Sequence, residues 1–225
     1  MPPQADSTQA FTGVVEFSIK LVNPKAPVNS RPVWSVPVKI WYRDSLAIEE
    51  VATLQSFTDS KNNTKTTIAV KNYRFVDLKK RLIYVYDNFS DTATMLKRYS
   101  FTDTTVETVG GWQFNTKKDS DYVGEPEKIA DTTIDGQIYK RLKLTRRLTG
   151  VDFYSTLFFN CNARRSPFLF YPALSKQIGC PAVKFLSEYP NHGKLSTIEE
   201  IKFLRSEFTP VELRVFQSWA KNISE

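Results

Sequence analysis

The sequence predicts an α+β, mainly β fold, in which antiparallel strands form one sheet and C-terminal helices pack on it. Three observations carry that expectation. Residues 11–22, FTGVVEFSIKLV, alternate apolar and polar side chains over the length of a strand. The chain holds 16 Phe and 10 Tyr against 8 Gly, and such a profile favours strands over coil. Beyond residue 195 the apolar period lengthens behind two candidate capping boxes, which predicts helices.

Taken in order, Val15, Phe17, Ile19 and Leu21 share one face of the first segment, and Glu16, Ser18 and Lys20 the other, as in a half-buried strand. Asn23 to Pro37 carries four of the twelve prolines and reads as an extended connection. Val38 to Arg43 is a second strand; the turn-prone Asp44-Ser45 returns it as Leu46 to Leu54. Asp59 to Thr64 is a polar turn, and the β-branched run Thr66 to Val70 follows as a strand. Asn72 to Leu78 and Arg81 to Tyr86 flank Lys79-Lys80, the spacing of a tight hairpin with a cationic tip. Met95 to Phe101 continues the meander, while Gly110-Gly111, Lys117 to Asp121 and Gly124-Glu125-Pro126 mark a loop region.

The turn Asp135-Gly136 opens a strand with Ile138, Leu142 and Leu144 on one face and Tyr139, Arg141, Lys143 and Arg147 on the other. Phe153 to Cys161 is apolar on both faces, as in a central strand covered on both sides. Ser196-Thr197-Ile198-Glu199 reads as one capping box, with Ile198, Ile201 and Leu204 a turn apart. Thr209-Pro210-Val211-Glu212 is the second, with proline at the first helical position, and Leu213, Phe216, Trp219 and Ala220 form an apolar stripe. The expected organisation is an arm over residues 1–10, a sheet domain over 11–190 and a helical tail over 191–225 on the same core, a single domain of 225 residues.

The formal net charge is +7, but the basic residues are dispersed, and neither zinc-finger spacing nor a GxxG loop accompanies them, so nucleic-acid binding is not expected. No run of about 18 apolar residues is present to span a bilayer as a helix. Residues 1–10 are polar and lack an export signal, which fits either a cytosolic protein with a short arm or a chain from which the signal has been removed; the second is preferred. Cys161 and Cys180 fit one disulfide of an oxidising compartment, worth on the order of 3 kcal/mol for a loop of about 20 residues, or else two reduced thiols.

Enzyme chemistry is hard to assemble. His192 is the single histidine and sits in a turn-like Pro-Asn-His-Gly setting. No GxSxG, P-loop, GxGxxG or HExxH is present, no metal site or cofactor is expected, and a carboxylate-based hydrolase is the one enzyme class left open. Glu49-Glu50 and Glu199-Glu200 are sequence neighbours, whose side chains do not converge on a strand or helix. Arg141, Lys143 and Arg147 form a cationic row that would either hold an anionic head group or face water. Trp41, Tyr73, Phe75, Tyr84, Tyr86, Tyr154 and Phe158, with Phe168 and Phe170, would line a cavity for an apolar ligand or fill a large core.

Several stretches resemble the LolA/LppX-like superfamily of cell-envelope lipoproteins, and within it the GLPGLI-type and related periplasmic proteins of Bacteroidota. They are Gly13 to Phe17, Val38 to Ser45, the hairpin Tyr73 to Tyr86, and Ile134 to Lys140 followed by an aromatic strand and Tyr171-Pro172-Ala173-Leu174. Ala173 stands where the signature glycine of that group would be, and no lipobox cysteine is present. The resemblance implies a strongly curved, half-barrel sheet whose concave side is plugged by helices and accepts lipid or a lipoprotein acyl chain, with no catalytic residues. The functional expectation is a non-catalytic periplasmic or outer-envelope protein that binds an apolar or amphiphilic small molecule, with peripheral membrane association through a removed anchor. The alternative is an assembly subunit that docks another envelope protein.

Overall fold

In a computed structural model the described residues are 12–22, 34–58, 60, 64–100, 122–148, 151–164, 170–188 and 196–223. Eleven strands, β1 Thr12–Val22, β2 Trp34–Arg43, β3 Leu46–Thr58, β4 Thr64–Asp77, β5 Leu82–Tyr86, β6 Met95–Ser100, β7 Val123–Ile134, β8 Gln137–Leu148, β9 Val151–Phe159, β10 Ala182–Glu188 and β11 Ser196–Arg205, form one sheet. Its order is β6-β5-β4-β3-β2-β1-β11-β10-β9-β8-β7, and every neighbouring pair is antiparallel. The chain meanders outward along one wing as β1 to β6, crosses to the far edge, and returns inward as β7 to β11, so that the last strand pairs with the first. The sheet is the open antiparallel sheet that the strand alternation and the resemblance predict.

Local chemistry sets the turns. Asp44 (φ 54°), and Asp135 and Gly136 (φ 50° and 75°), adopt left-handed backbone in two-residue hairpins. Asp77 Oδ1 accepts the backbone N–H groups of Lys79 and Lys80, each at 2.9 Å, and so closes the β4–β5 turn at its cationic tip. Gly13 is required by a close approach: a Cβ there would lie 2.7 Å from the Tyr42 hydroxyl and 3.0 Å from the Arg205 carbonyl oxygen.

Two short helices pack on opposite faces. Helix α1, Pro172–Ile178, lies on the face that carries Val15, Phe17, Ile40, Tyr42, Leu142, Leu144, Leu157 and Phe185, and contributes Leu174 to that cluster. Gly179 caps it in the left-handed conformation, its N–H reaching the carbonyls of Ser175 and Lys176. Helix α2, Pro210–Asn222, lies on the other face and buries Val215, Phe216 and Trp219 against Val14, Trp41, Ile48, Phe75, Tyr84 and Tyr86.

The Thr209 capping box forms as its sequence predicts. Thr209 Oγ1 accepts the Glu212 N–H, and Glu212 Oε2 accepts the Thr209 N–H at 2.7 Å. Glu212 also takes a charge-assisted bond from Arg205. Burial pushes its carboxyl up, but Arg205 and the Thr209 N–H outweigh burial and hold it at about 2. A carboxylate depressed in this way stabilises the fold fully above its unfolded value of 4.5, and that contribution is lost as pH falls to about 2. Solvent screening limits it to about 1–2 kcal/mol. Glu212→Gln should therefore lower the thermal midpoint at neutral pH and flatten its fall across this acid window; an unchanged acid limb would contradict the assignment.

Two expectations are corrected. Ser196-Thr197-Ile198-Glu199 does not cap a helix; it begins β11, which pairs with β1 on one side and β10 on the other. The same ten residues alternate as Thr197, Glu199, Ile201 and Phe203 on the α1 face against Ile198, Glu200 and Lys202 on the α2 face, and two ladders of backbone bonds outweigh a local cap. Gly124-Glu125-Pro126 is not loop but lies within β7. That strand is a sheet edge, where proline forfeits no ladder bond, and the register shifts between Val123 and Glu127. The arm over residues 1–10, Gly110-Gly111, Lys117 to Asp121, Phe168 and His192 lie outside the described residues.

Candidate functional site

The α1 face is an apolar floor. Its cluster runs from Ala47 on β3 across β2, β1, β11, β10 and β9 to Leu144 on β8, with Val15, Ile40, Leu157, Phe159 and Phe185 fully buried. Seven strands at about 4.8 Å spacing extend over roughly 29 Å. Helix α1 has seven residues and is only about 10 Å long, shorter than the floor is wide, yet the floor residues are buried. Phe170 and Tyr171 extend the cover, with their rings 6.1 and 5.7 Å from that of Phe185, and Tyr122 lies 6.1 Å from Tyr171.

Among the described residues polar groups interrupt the floor on both wings, and Thr197 and Glu199 of β11 share the same face. On one wing Glu49 and Arg74 form a buried ion pair, 3.7 Å apart, with side chains 3% and 11% exposed. Tyr99 on β6 shares this face, and burial raises its phenol above the ordinary range. On the other wing Ser155 and Ser187, both buried, share a hydrogen bond of 3.4 Å. Beyond them Arg146 projects from the same face, its guanidinium 5.2 Å from the Phe153 ring and 5.3 Å from that of Phe185. Glu49 and Glu50 diverge to opposite faces, as do Glu199 and Glu200, because successive strand residues alternate.

Of the sequence-derived site residues, Phe170 joins the α1 face and the other described ones fall on the α2 face in two separate groups. Trp41, Phe75, Tyr84 and Tyr86 are buried beneath α2, and Tyr73 flanks them. Tyr86 stacks on Trp219 at 4.0 Å, Phe75 meets Phe216 and Trp219 edge-on, and Phe89 lies between Trp41 and Tyr73. The structure therefore fills the space beside these rings with the protein's own helix. Burial and the neighbouring Glu50 raise the Tyr73 phenol.

Tyr154, Phe158, Arg141, Lys143 and Arg147 lie far along the same face, on β8 and β9. The cationic row is spent on local partners: Arg141 Nε donates to the Ala130 carbonyl at 2.7 Å, Lys143 sits 4.4 Å from the Tyr154 ring, and Arg147 grips Asp152 at 2.6 and 3.0 Å. Glu200 bridges Lys20 and Lys184 beside them; burial opposes its ionisation, but the two ammonium groups win and lower its carboxyl. Each cation of the row thus has a partner within the sheet. Sequence reasoning passed over Arg146, although it shares the parity of Leu142 and Leu144, because a cation breaks the pattern by which an apolar face is recognised.

Cys161 and Cys180 are joined in a disulfide, which ties the end of β9 to the segment between α1 and β10 and so fixes α1 over the floor. Replacing both cysteines by serine should cost about 2–4 kcal/mol. Urea unfolding of the variant, and of the parent with and without reductant, checks this; coincident curves would contradict it. Among the described residues no group of three His, Cys, Asp or Glu side chains is placed to hold a metal ion, and no helix is long and apolar enough to cross a membrane.

No protein-family model and no curated protein matches the chain. Two solved structures are similar in layout over most of its length. One is the lipoprotein LppX of Mycobacterium tuberculosis, at 11% identity and a TM-score of 0.38, covering 89% of this chain and 90% of that one. The other is a LolA superfamily protein of Nitrosomonas europaea, at 10% identity and a TM-score of 0.27, covering 91% and 89%.

Proposed function

We propose that the protein is a non-catalytic cell-envelope binder of an apolar or amphiphilic molecule, whose hydrocarbon part lies on the α1 face. The observation that carries this is the width of the apolar floor against the short helix on it. Concave apolar surfaces with a few placed polar groups suit such ligands. The face differs from the one expected from the aromatic residues alone, because α2 occupies the latter. An exported location, peripheral attachment through a removed anchor and the narrower likeness to Bacteroidota proteins belong to the same reading.

Native mass spectrometry of the purified protein, followed by denaturing extraction and lipid analysis, tests it. A stoichiometric apolar molecule is the expected result. A clean unliganded mass, with no uptake of added fatty acid, would overturn it in favour of a docking subunit. That second reading is favoured by one feature, the position of β6 at the edge of the described strands, where Met95 and Leu96 are 51% and 57% exposed.

A further inference from the structure

The cationic tip Lys79-Lys80 stands within a larger arrangement. Arg43, Leu46, Asp77 and Leu82 form one row across β2, β3, β4 and β5. The β2–β3 and β4–β5 turns therefore lie side by side at one end of the sheet, about 10 Å apart at two strand spacings. The Leu78 N–H donates to the Ser45 carbonyl at 2.9 Å and joins the two turns. The C-terminal end of α2 reaches the same place, where Lys80 Nζ donates to the Ile223 carbonyl at 3.2 Å.

Residues 43–46, 77–82 and 220–222 bring five cations to this end, Arg43, Lys79, Lys80, Arg81 and Lys221, all exposed, against two acids, Asp44 and Asp77. Asp77 is 5% exposed, and its Oδ1 is taken up by the backbone N–H groups of Lys79 and Lys80, so it fixes the turn that carries the ammonium groups. Among the described residues no carboxylate pairs with Arg43, Lys79 or Lys221. The row on β8 differs, since Arg141, Lys143 and Arg147 are each engaged within the sheet. Leu46, Leu78 and Leu82, each half-buried, lie between the cations of the two turns, and none of the residues in these three segments is aromatic.

We infer that this end of the sheet is a docking surface for a bilayer rich in anionic lipid. Cations set on fixed turns match a plane of phosphates, and each basic residue close to such a surface strengthens binding roughly fivefold. The leucine hydrocarbon among them suits the boundary between head groups and acyl chains. A single-stranded polynucleotide would call for aromatic rings on which bases stack, and these segments supply none. The inference stands apart from the ligand site of the α1 face.

Co-sedimentation with lipid vesicles at neutral pH tests it. The protein should bind vesicles containing about one-third phosphatidylglycerol at least about tenfold more strongly than vesicles of phosphatidylcholine alone, the gain of two or more basic residues. Raising salt from about 0.05 M to about 0.5 M, which shortens the screening length to a few ångströms, should remove most of that binding. Lys79→Gln combined with Lys221→Gln should weaken it roughly 25-fold, two fivefold steps. Lys71→Gln combined with Lys128→Gln removes the same charge from exposed positions on β4 and β7. Lys71 stands roughly 20 Å along β4 from the turn, beyond the screening length, so this second pair should bind within about twofold of the parent. Circular dichroism checks that both variants are folded; should the first fail, the lipid and salt comparisons on the parent decide the matter. Equal binding to both kinds of vesicle, binding that salt leaves unchanged, or an equal loss in the two variants would overturn the inference. So would binding to a DNA duplex without binding to the anionic vesicles. None of these outcomes bears on uptake of an apolar molecule by the α1 face.

Discussion

Trp219→Ala should cost about 3–5 kcal/mol of folding stability, toward the upper end for an aromatic truncation. Trp219 is fully buried, stacks on Tyr86 and meets Phe75 and Phe89 edge-on, so its removal opens a void bounded by three rings. Its indole N–H also donates to the Ser90 carbonyl at 2.9 Å, and the neighbouring Ser218 hydroxyl donates to the Asp91 carbonyl at 2.9 Å. The loss therefore includes the anchor between α2 and the β5–β6 connection. Urea titration followed by far-ultraviolet circular dichroism measures it; a midpoint within error of the parent would mean that α2 contributes little to the core. The milder Trp219→Phe, which should stay folded, should bind added fatty acid as the parent does, because α2 and the proposed ligand lie on opposite faces.

Arg74→Met should be comparably damaging, about 3–5 kcal/mol, for an electrostatic reason. Glu49 is buried with its cation 3.7 Å away, and removing the guanidinium leaves a carboxylate in apolar surroundings. Glu49→Leu combined with Arg74→Met replaces both charges by hydrocarbon and should recover most of the loss, since the desolvation of both ions is then avoided. Thermal unfolding of the parent, both single variants and the double variant forms the cycle. Additive losses would show that the two charges are not coupled.

The hairpins were legible because their turns are chemical: Asp44-Ser45, Asp135-Gly136 and the Asp77 side chain each impose a reversal with neighbours within a few residues. The same holds for the Thr209 cap, whose partners lie three residues apart. What stayed hidden depends on distant partners. The Ser196 cap signal loses to ladders with β1 and β10, and Pro126 is acceptable in a strand only because β7 ends the sheet. Trp41, Phe75, Tyr84 and Tyr86 read as a ligand surface until α2, more than a hundred residues downstream, is seen to fill it. Arg146 was within reach of simple parity, but an alternation reading assigns cations to water by default and so overlooks a cation that faces the apolar floor.

The central claim is that hydrocarbon binds on the α1 face, and a nitroxide-labelled fatty acid observed through methyl resonances tests it most directly. The account predicts that the label broadens the methyls of Val15, Leu142, Leu144 and Leu157 and spares those of Val14, Ile48 and Val215. Broadening of the second set in place of the first, or of neither at saturating ligand, would contradict it.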